Sequence, residues 1–199
     1  MTYDLSQLQF GDLRPSIILE SIKNDQESIN EFYSLLIKEL LNSKYWSLSY
    51  NNMPRLNWND AKNARKAKSE FQMPGLYLWG AENIPRYIGQ TENSFSKRFN
   101  RYIWGEKSEY NLGRKYENEI MQLGIKGFTQ EIVNWCKNSY GTLARLEHTV
   151  DYVKHGIENI WFSLFPFKNK DLIKELETKL IIAGKQWNVK NNLEPLLNK

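Results

Sequence analysis

The sequence predicts an α+β fold: a small core with a three-stranded antiparallel sheet flanked by helices, plus an N-terminal helical extension and a helical insertion. The first observation is a hairpin signal, in which the apolar stretches GLYLW and PRYIG flank a turn-like GAENIP. The second is IENIWFSLF at 157–165, which alternates enough to form a third strand. The third is helical periodicity of apolar residues before, between and after these stretches.

The first predicted element is an amphipathic helix over 25–41, where apolar residues recur at helical spacing. Asn24 and Glu27 have the spacing of a capping box at its start. Residues 42–74 are more polar and predict a looser connection. We therefore divide the chain into an extension at 1–73 and a core at 74–199.

The core continues after the hairpin with a helix over 94–103, for which Ser94 is the expected N-cap. Residues 103–155 predict a mostly helical insertion. A last helix is expected over 171–184, with Gly184 as its C-cap. The side chains expected to face inward from the first of these helices are Phe95, Phe99 and Tyr102.

The composition is that of an ordinary globular protein. The chain has 199 residues, of which 41% are apolar and 25% charged, enough for one domain with a full core. The sequence has no apolar run of membrane-spanning length and no secretory signal pattern, so we expect a cytoplasmic protein without a membrane partner. Cys136 is the single cysteine, which excludes an intramolecular disulfide, and we expect a core thiol rather than a nucleophile.

Positive charge is concentrated on both sides of the hairpin. Residues 54–68 carry five Lys or Arg against one acid, and residues 97–115 carry six against two. Either stretch alone is explained equally well as solvated charge. Together, with Trp58, Tyr102 and Trp104 interleaved, they favour a surface for a polyanion.

The hairpin places its aromatic residues on one face. Because alternate strand residues share a face, Tyr77 lies with Trp79, and Tyr87 lies with Gly89. A tyrosine pair in a hairpin is commonly only packing. Gly89, however, indicates close approach by backbone or ligand, and the following helix presents Arg98, whose planar fork suits phosphate.

The last helix adds a carboxylate to this set. Glu177 falls at the edge of the apolar stripe, whereas Glu175 points nearly opposite. A half-buried carboxylate is costly unless something offsets its charge. The offset is either an arginine or lysine, or a divalent cation such as Mg²⁺, which prefers carboxylate oxygen.

Five elements in this order resemble the GIY-YIG nuclease superfamily: Gly75-Leu76-Tyr77, Tyr87-Ile88-Gly89-Gln90-Thr91, Arg98, Glu177 in LETKLI, and Asn188 in WNV. The resemblance covers residues 74–102 and 157–192, under half of the chain. Two departures are the Gly-Leu-Tyr form of the first motif and Tyr102, where some members have histidine.

The resemblance implies a metal-dependent endonuclease. Glu177 would hold one Mg²⁺ or Mn²⁺, and Arg98 would bind the scissile phosphate. Tyr77 would take the proton from the attacking water, which requires a nearby cation to favour its phenolate, and Tyr87 would position water or phosphate. Asn188 would order the local backbone or contact phosphate.

The implied substrate is double-stranded DNA, with a type II restriction-like role and a possible two-fold homodimer. The extension at 1–73 is expected to contact DNA, and it and the insertion are large enough to supply sequence recognition. The residues expected to contact DNA are Gly89, Gln90, Lys62, Arg65, Lys66, Lys68, Arg101 and Tyr102. Other interpretations stay open: a repair, homing or mobile-element nuclease, an RNA nuclease, or a catalytically idle nucleic-acid-binding module. A hydrolase using Ser139, His148 and Asp151 has no nucleophile-elbow motif to support it.

Overall fold

A computed structural model describes residues 15–42, 56–57, 69–103, 105–167 and 169–198 of the chain. Its sheet has strand order β1-β4-β2-β3, and each neighbouring pair is antiparallel. The strands are β1 Leu56–Asn57, β2 Gly75–Ala81, β3 Ile84–Thr91 and β4 Ile160–Pro166. The three long strands confirm the predicted sheet and the α+β class, and the two-residue β1 adds an unpredicted edge.

Helices surround the sheet in the described part of the chain. They are α1 Pro15–Ser21, α2 Gln26–Asn42, α3 Phe95–Ile103, α4 Glu109–Lys115, α5 Glu117–Leu123, α6 Gln130–Tyr140, α7 Ala144–His155 and α8 Lys170–Lys190. Short 3₁₀ turns occupy Ser69–Gln72, Gly124–Gly127 and Ile157–Asn159. None of the described helices is long and apolar enough to cross a membrane.

The sheet separates two cores, as the predicted alternation requires. Leu76, Leu78 and Ile88 belong to the core shared with α1, α2 and α8. Tyr77 and Trp79 belong to the opposite core, which α3 and α7 cover. Helix α3 faces this second core as predicted, and the inward side chains are Phe95, Phe99 and Tyr102. Ser94 caps α3 as expected, since its hydroxyl accepts from the amide of Lys97 at 3.2 Å.

The N-terminal helices share their core with the rest of the chain. Helix α2 packs along α8, and the Gln26 amide donates to the carbonyl of Lys179 at 2.9 Å. The helical part of the extension, 15–42, is therefore one wall of the core rather than a separate unit. The predicted capping box was wrong in one detail: Asp25, not Asn24, accepts from the amide of Ser28 at 2.8 Å.

The predicted end of α8 was also wrong. The helix continues through Gly184 to Lys190, and Gly184 packs closely rather than ending it. A Cβ at Gly184 would lie 2.7 Å from Leu196 Cδ1 and 3.0 Å from the Tyr33 hydroxyl, so the glycine is there for space. At the other end of the core, β4 begins only at Ile160, because the preceding three residues form a 3₁₀ turn.

The insertion is helical, as predicted. It encloses a core of its own and also packs on the sheet. Its four helices enclose a small core that contains the buried Cys136 thiol. That thiol donates to the carbonyl of Thr142 at 3.3 Å, consistent with a core residue. Helix α7 also lies on the sheet, where Tyr152 stacks on Trp79 with ring centroids 5.6 Å apart.

A bulge in β3 joins the sheet to α7. Trp79 pairs with Tyr87 and Gly80 with Pro85, which leaves Arg86 as the extra residue. The Arg86 guanidinium forms a buried ion pair with Asp151 of α7 at 2.6 Å. It also donates to the carbonyl of Pro195 at 2.9 Å. The C-terminal segment thereby covers the outer edge of β3, which would otherwise present unpaired backbone groups.

Candidate active site

Two tyrosines meet on the β2–β3 hairpin. Tyr77 pairs across the strands with Gly89, and its ring centroid lies 6.1 Å from that of Tyr87. Tyr77 is 1% exposed, and its hydroxyl shares a 3.0 Å hydrogen bond with the hydroxyl of Tyr102 on α3. Tyr87 is only half-buried. The hairpin therefore holds one tyrosine inside the core and turns the other toward the surface.

Gly89 is required by this pairing. A Cβ there would lie 2.5 Å from both Cζ and the hydroxyl oxygen of Tyr77, and 2.6 Å from Cε1 of Tyr87. The close approach predicted at this glycine is thus made by the two tyrosine rings themselves. Gly89 is buried beneath them, so a direct DNA contact does not suit it.

The hydroxyls of this cluster are protonated at neutral pH. Burial raises the pKa of Tyr77 well above its ordinary value. The neighbouring Tyr77 hydroxyl and then burial raise the pKa of Tyr87, and burial raises that of Tyr102. Arg98 acts in the opposite direction on all three pKa values without reversing the shift. The cation expected to favour a Tyr77 phenolate is therefore present, but burial outweighs it.

Arg98 connects the tyrosines to an open cleft. Its half-buried guanidinium lies 5.9 Å from the centroid of the Tyr77 ring and donates through Nη2 to the carbonyl of Gln90 at 2.9 Å. The cleft has a volume of about 290 Å³ and is lined by Gln90, Thr91, Glu92, Asn93, Lys97 and Arg98. Two cationic side chains and the start of α3 make this cleft suitable for an anion.

Glu177 on α8 approaches the same cluster. Its carboxylate is half-buried, and burial raises its pKa while Arg98 lowers it. The charge of Glu177 also acts on Tyr77 and Tyr87, which places it in the neighbourhood of both rings. Among the described residues, no cationic side chain forms an ion pair with Glu177. The carboxylate is thus available to a cation from solution.

Glu175 has the contrasting environment that the helical spacing predicts. It is exposed, and Lys179 one turn later donates to its carboxylate at 2.8 Å. Within the described ranges, no group of three or more His, Cys, Asp or Glu side chains is arranged to hold a metal ion. Because Mg²⁺ often binds through one or two protein carboxylates and takes its other ligands from water and phosphate, Glu177 alone fits as its candidate protein ligand.

Asn188 does not join the cluster. It is fully buried, and its amide donates to the carbonyls of Pro85 at 2.9 Å and Glu194 at 2.7 Å. It follows Glu177 by eleven residues in one helix, which separates the two by about 16 Å along the helix axis. Of the two roles considered for Asn188, the contacts favour ordering the local backbone over touching phosphate.

The residues expected to contact DNA differ in their exposure and in whether the structure describes them. Tyr102 is 3% exposed and bonded to Tyr77, so its surface is not open to a nucleic acid. Gln90 lines the cleft, and its buried Oε1 has no hydrogen-bond partner in the part of the chain that the structure describes. Arg101 lies in α3, but its side chain is outside the description. The four cations at 62, 65, 66 and 68 also lie outside the described residues.

The sequence reasoning missed His148, which belongs to the cluster. The imidazole of His148, from α7, contacts Tyr87 with ring centroids 4.7 Å apart and Trp79 at 4.8 Å. It does not form the triad drawn from sequence, because Asp151 pairs with Arg86 and Ser139 is exposed. A usable signal was present: Arg145, His148 and Tyr152 recur at helical spacing on one buried stripe.

Comparison of the chain with known protein-family models, with curated proteins and with solved structures finds no match. The fold and the candidate site therefore provide the observations that bear on the class of the protein. These are an α+β chain, a tyrosine pair on a hairpin, an arginine on the next helix, and a half-buried glutamate on the last helix.

Proposed function

We propose that the protein is a metal-dependent endonuclease of the GIY-YIG type that hydrolyses phosphodiester bonds in double-stranded DNA, as a type II restriction-like enzyme. One observation supports this most strongly. Glu177 is a half-buried carboxylate without an ion-pair partner among the described residues, and it lies within electrostatic reach of Arg98 and both tyrosines. A structural carboxylate at that depth is normally paired.

The residues present fit one Mg²⁺ or Mn²⁺. Glu177 supplies hard carboxylate oxygen, burial disfavours its bare charge, and a bound cation would offset that cost. When bound, the ion would neutralise charge on the scissile phosphate and stabilise the leaving oxygen. The cleft at Arg98 has room for a phosphate.

Arg98 would bind the scissile phosphate. Its backbone partner, the carbonyl of Gln90, fixes one end of the guanidinium and leaves the remaining donors for an anion. Tyr87, half-buried and protonated, would donate to a phosphate oxygen or orient the attacking water. Tyr77, buried and bonded to Tyr102, suits a supporting role better than that of the first proton acceptor.

The test is cleavage of supercoiled plasmid by the full chain with Mg²⁺ or Mn²⁺, alongside Glu177→Gln and Arg98→Ala. We expect the Gln variant to fold, to bind DNA like the parent, and to cut nothing, because only the charge that would hold the cation is gone. Arg98→Ala should impair cleavage strongly and binding modestly, since its charge would act on both ground and transition states.

Glu175→Gln is the matched control, with the same substitution on the same helix but at an exposed carboxylate. It should cut like the parent. If both glutamine variants cut normally, no single-carboxylate metal site exists on α8. Parallel RNA substrates test the RNA nuclease alternative. A parent chain that binds DNA but cuts neither nucleic acid would establish the idle binding module.

A further inference from the structure

His148 is buried in an unusual state for a histidine. Its side chain is 1% exposed, and neither Nδ1 nor Nε2 has a hydrogen-bond partner among the described residues. Its ring is surrounded by Tyr87, Trp79 and Tyr102, with centroids 4.7, 4.8 and 6.0 Å away. Unpartnered buried nitrogens destabilise a fold, and an apolar ring of the same shape would avoid that cost. Packing alone therefore does not account for an imidazole here.

The surroundings keep this imidazole neutral. Burial lowers its pKa well below the ordinary value, and the charges of Arg145 on α7, Arg86 on β3 and Arg98 on α3 lower it further. The tyrosine hydroxyls beside it are protonated and uncharged. A neutral imidazole always retains one ring nitrogen as a hydrogen-bond acceptor. The site thus holds an acceptor that nothing in the described structure uses.

We propose that His148 is a positioning residue for Tyr87: when a phosphodiester occupies the cleft beside Arg98, a ring nitrogen of His148 accepts a hydrogen bond from the Tyr87 hydroxyl. The Tyr87 hydroxyl interacts with that of Tyr77, which is itself bonded to Tyr102, so Tyr87 would exchange this neighbour for the imidazole. This bond fixes the rotation of the hydroxyl, so that a lone pair of the phenol oxygen accepts a hydrogen bond from the attacking water. This role rests on the proposed nuclease function and assigns part of it to the insertion.

The experiment compares His148→Phe, His148→Gln and His155→Phe in the full chain, by thermal unfolding and by kcat and KM for plasmid cleavage. Phenylalanine keeps the ring contacts and removes the acceptor. We expect its Tm to equal or exceed that of the parent, while kcat falls about 100-fold, the loss typical of a misplaced catalytic group, and KM is unchanged. Glutamine restores an acceptor, so it should recover part of kcat despite a lower Tm.

His155→Phe is the control, because His155 lies on the same helix but contacts Glu82 outside the cluster. It should cut like the parent. A purely structural role predicts that kcat follows Tm across the two His148 variants, and that result would overturn the proposal. A phenylalanine variant as fast as the parent would overturn it too, leaving the nuclease function intact. A parent chain that cuts no nucleic acid refutes the proposed function itself, and this role with it.

Discussion

Gly89→Ala tests whether the tyrosine pair is held as tightly as the distances indicate. The added Cβ would lie 2.5 Å from the Tyr77 ring and 2.6 Å from the Tyr87 ring. Ordinary carbon contacts are about 3.5–4.0 Å, so at least one ring must retreat by about 1 Å. Tyr77 is 1% exposed, and its ring packs against those of Phe99 and Tyr102. The substitution therefore acts on the core and the candidate site together.

The magnitude follows from these contacts. Overpacking costs about 1–3 kcal/mol. Loss of the 3.0 Å bond between Tyr77 and Tyr102 adds about 1 kcal/mol. We expect Gly89→Ala to lower the free energy of unfolding by about 2–4 kcal/mol in urea titrations followed by circular dichroism. In the proposed nuclease, cleavage by the folded fraction should fall about 100-fold, because a side chain assigned to the candidate site is displaced.

Gly113→Ala on α4 is the control for this experiment. Its Cβ would meet Thr149 Cγ2 at 3.4 Å and Val153 Cγ2 at 3.5 Å, which are ordinary contacts. Alanine is favoured over glycine in a helix by about 1 kcal/mol, so this variant should be as stable as the parent or more stable. A Gly89→Ala protein within about 0.5 kcal/mol of the parent would refute the close packing described for the tyrosines.

Three further predictions concern charge. Because burial raises the folded-state pKa of Glu177, the folded chain holds more protons than the unfolded chain between the two pKa values, and stability decreases as pH rises through that window. Glu177→Gln should therefore be more stable than the parent at pH 7 and equal to it in acid, as measured by Tm between pH 3 and 8; an equal gap at every pH would contradict this. Arg86→Leu leaves Asp151 buried without its partner and should cost about 3–5 kcal/mol in urea titrations, whereas a small cost would mean that the pair is dispensable. Replacing the four cations predicted to bind DNA in 54–68 by glutamine should weaken DNA binding and reduce its salt dependence. Unchanged affinity at every salt concentration would mean that these side chains are ordinary solvated charges with no role in DNA binding.

Local sequence patterns predicted most of the sheet and the helices beside it. Alternation assigned Tyr77 and Leu76 to opposite faces, and helical spacing separated Glu177 from Glu175, because both patterns depend on backbone geometry alone. Gly184 misled the prediction because a glycine near a helix end is more often a C-cap than a point of close packing. Tertiary contacts, here with Leu196 and Tyr33, distinguish the two roles.

The position of His148 could not be predicted for a related reason. It lies outside the motif pattern, 71 positions after Tyr77, 61 after Tyr87 and 50 after Arg98 along the chain. Its contact with Tyr87 depends on how α7 folds back onto the sheet, aided by the buried pair of Arg86 and Asp151. The spacing of residues within α7 does not predict which surface it packs against, although its buried stripe indicates that it packs against another element.

The packing of α2 along α8 bears on how such an enzyme could be re-engineered. The helix that carries Glu177 has its apolar stripe covered by the N-terminal helices, and Lys179 donates to the side chain of Asn24 at 2.9 Å. Grafting a different N-terminal segment to change recognition would expose that stripe unless the new segment reproduced the matching surface. In the proposed enzyme, the N-terminal segment and the helix that carries Glu177 would therefore have to be replaced together rather than one at a time.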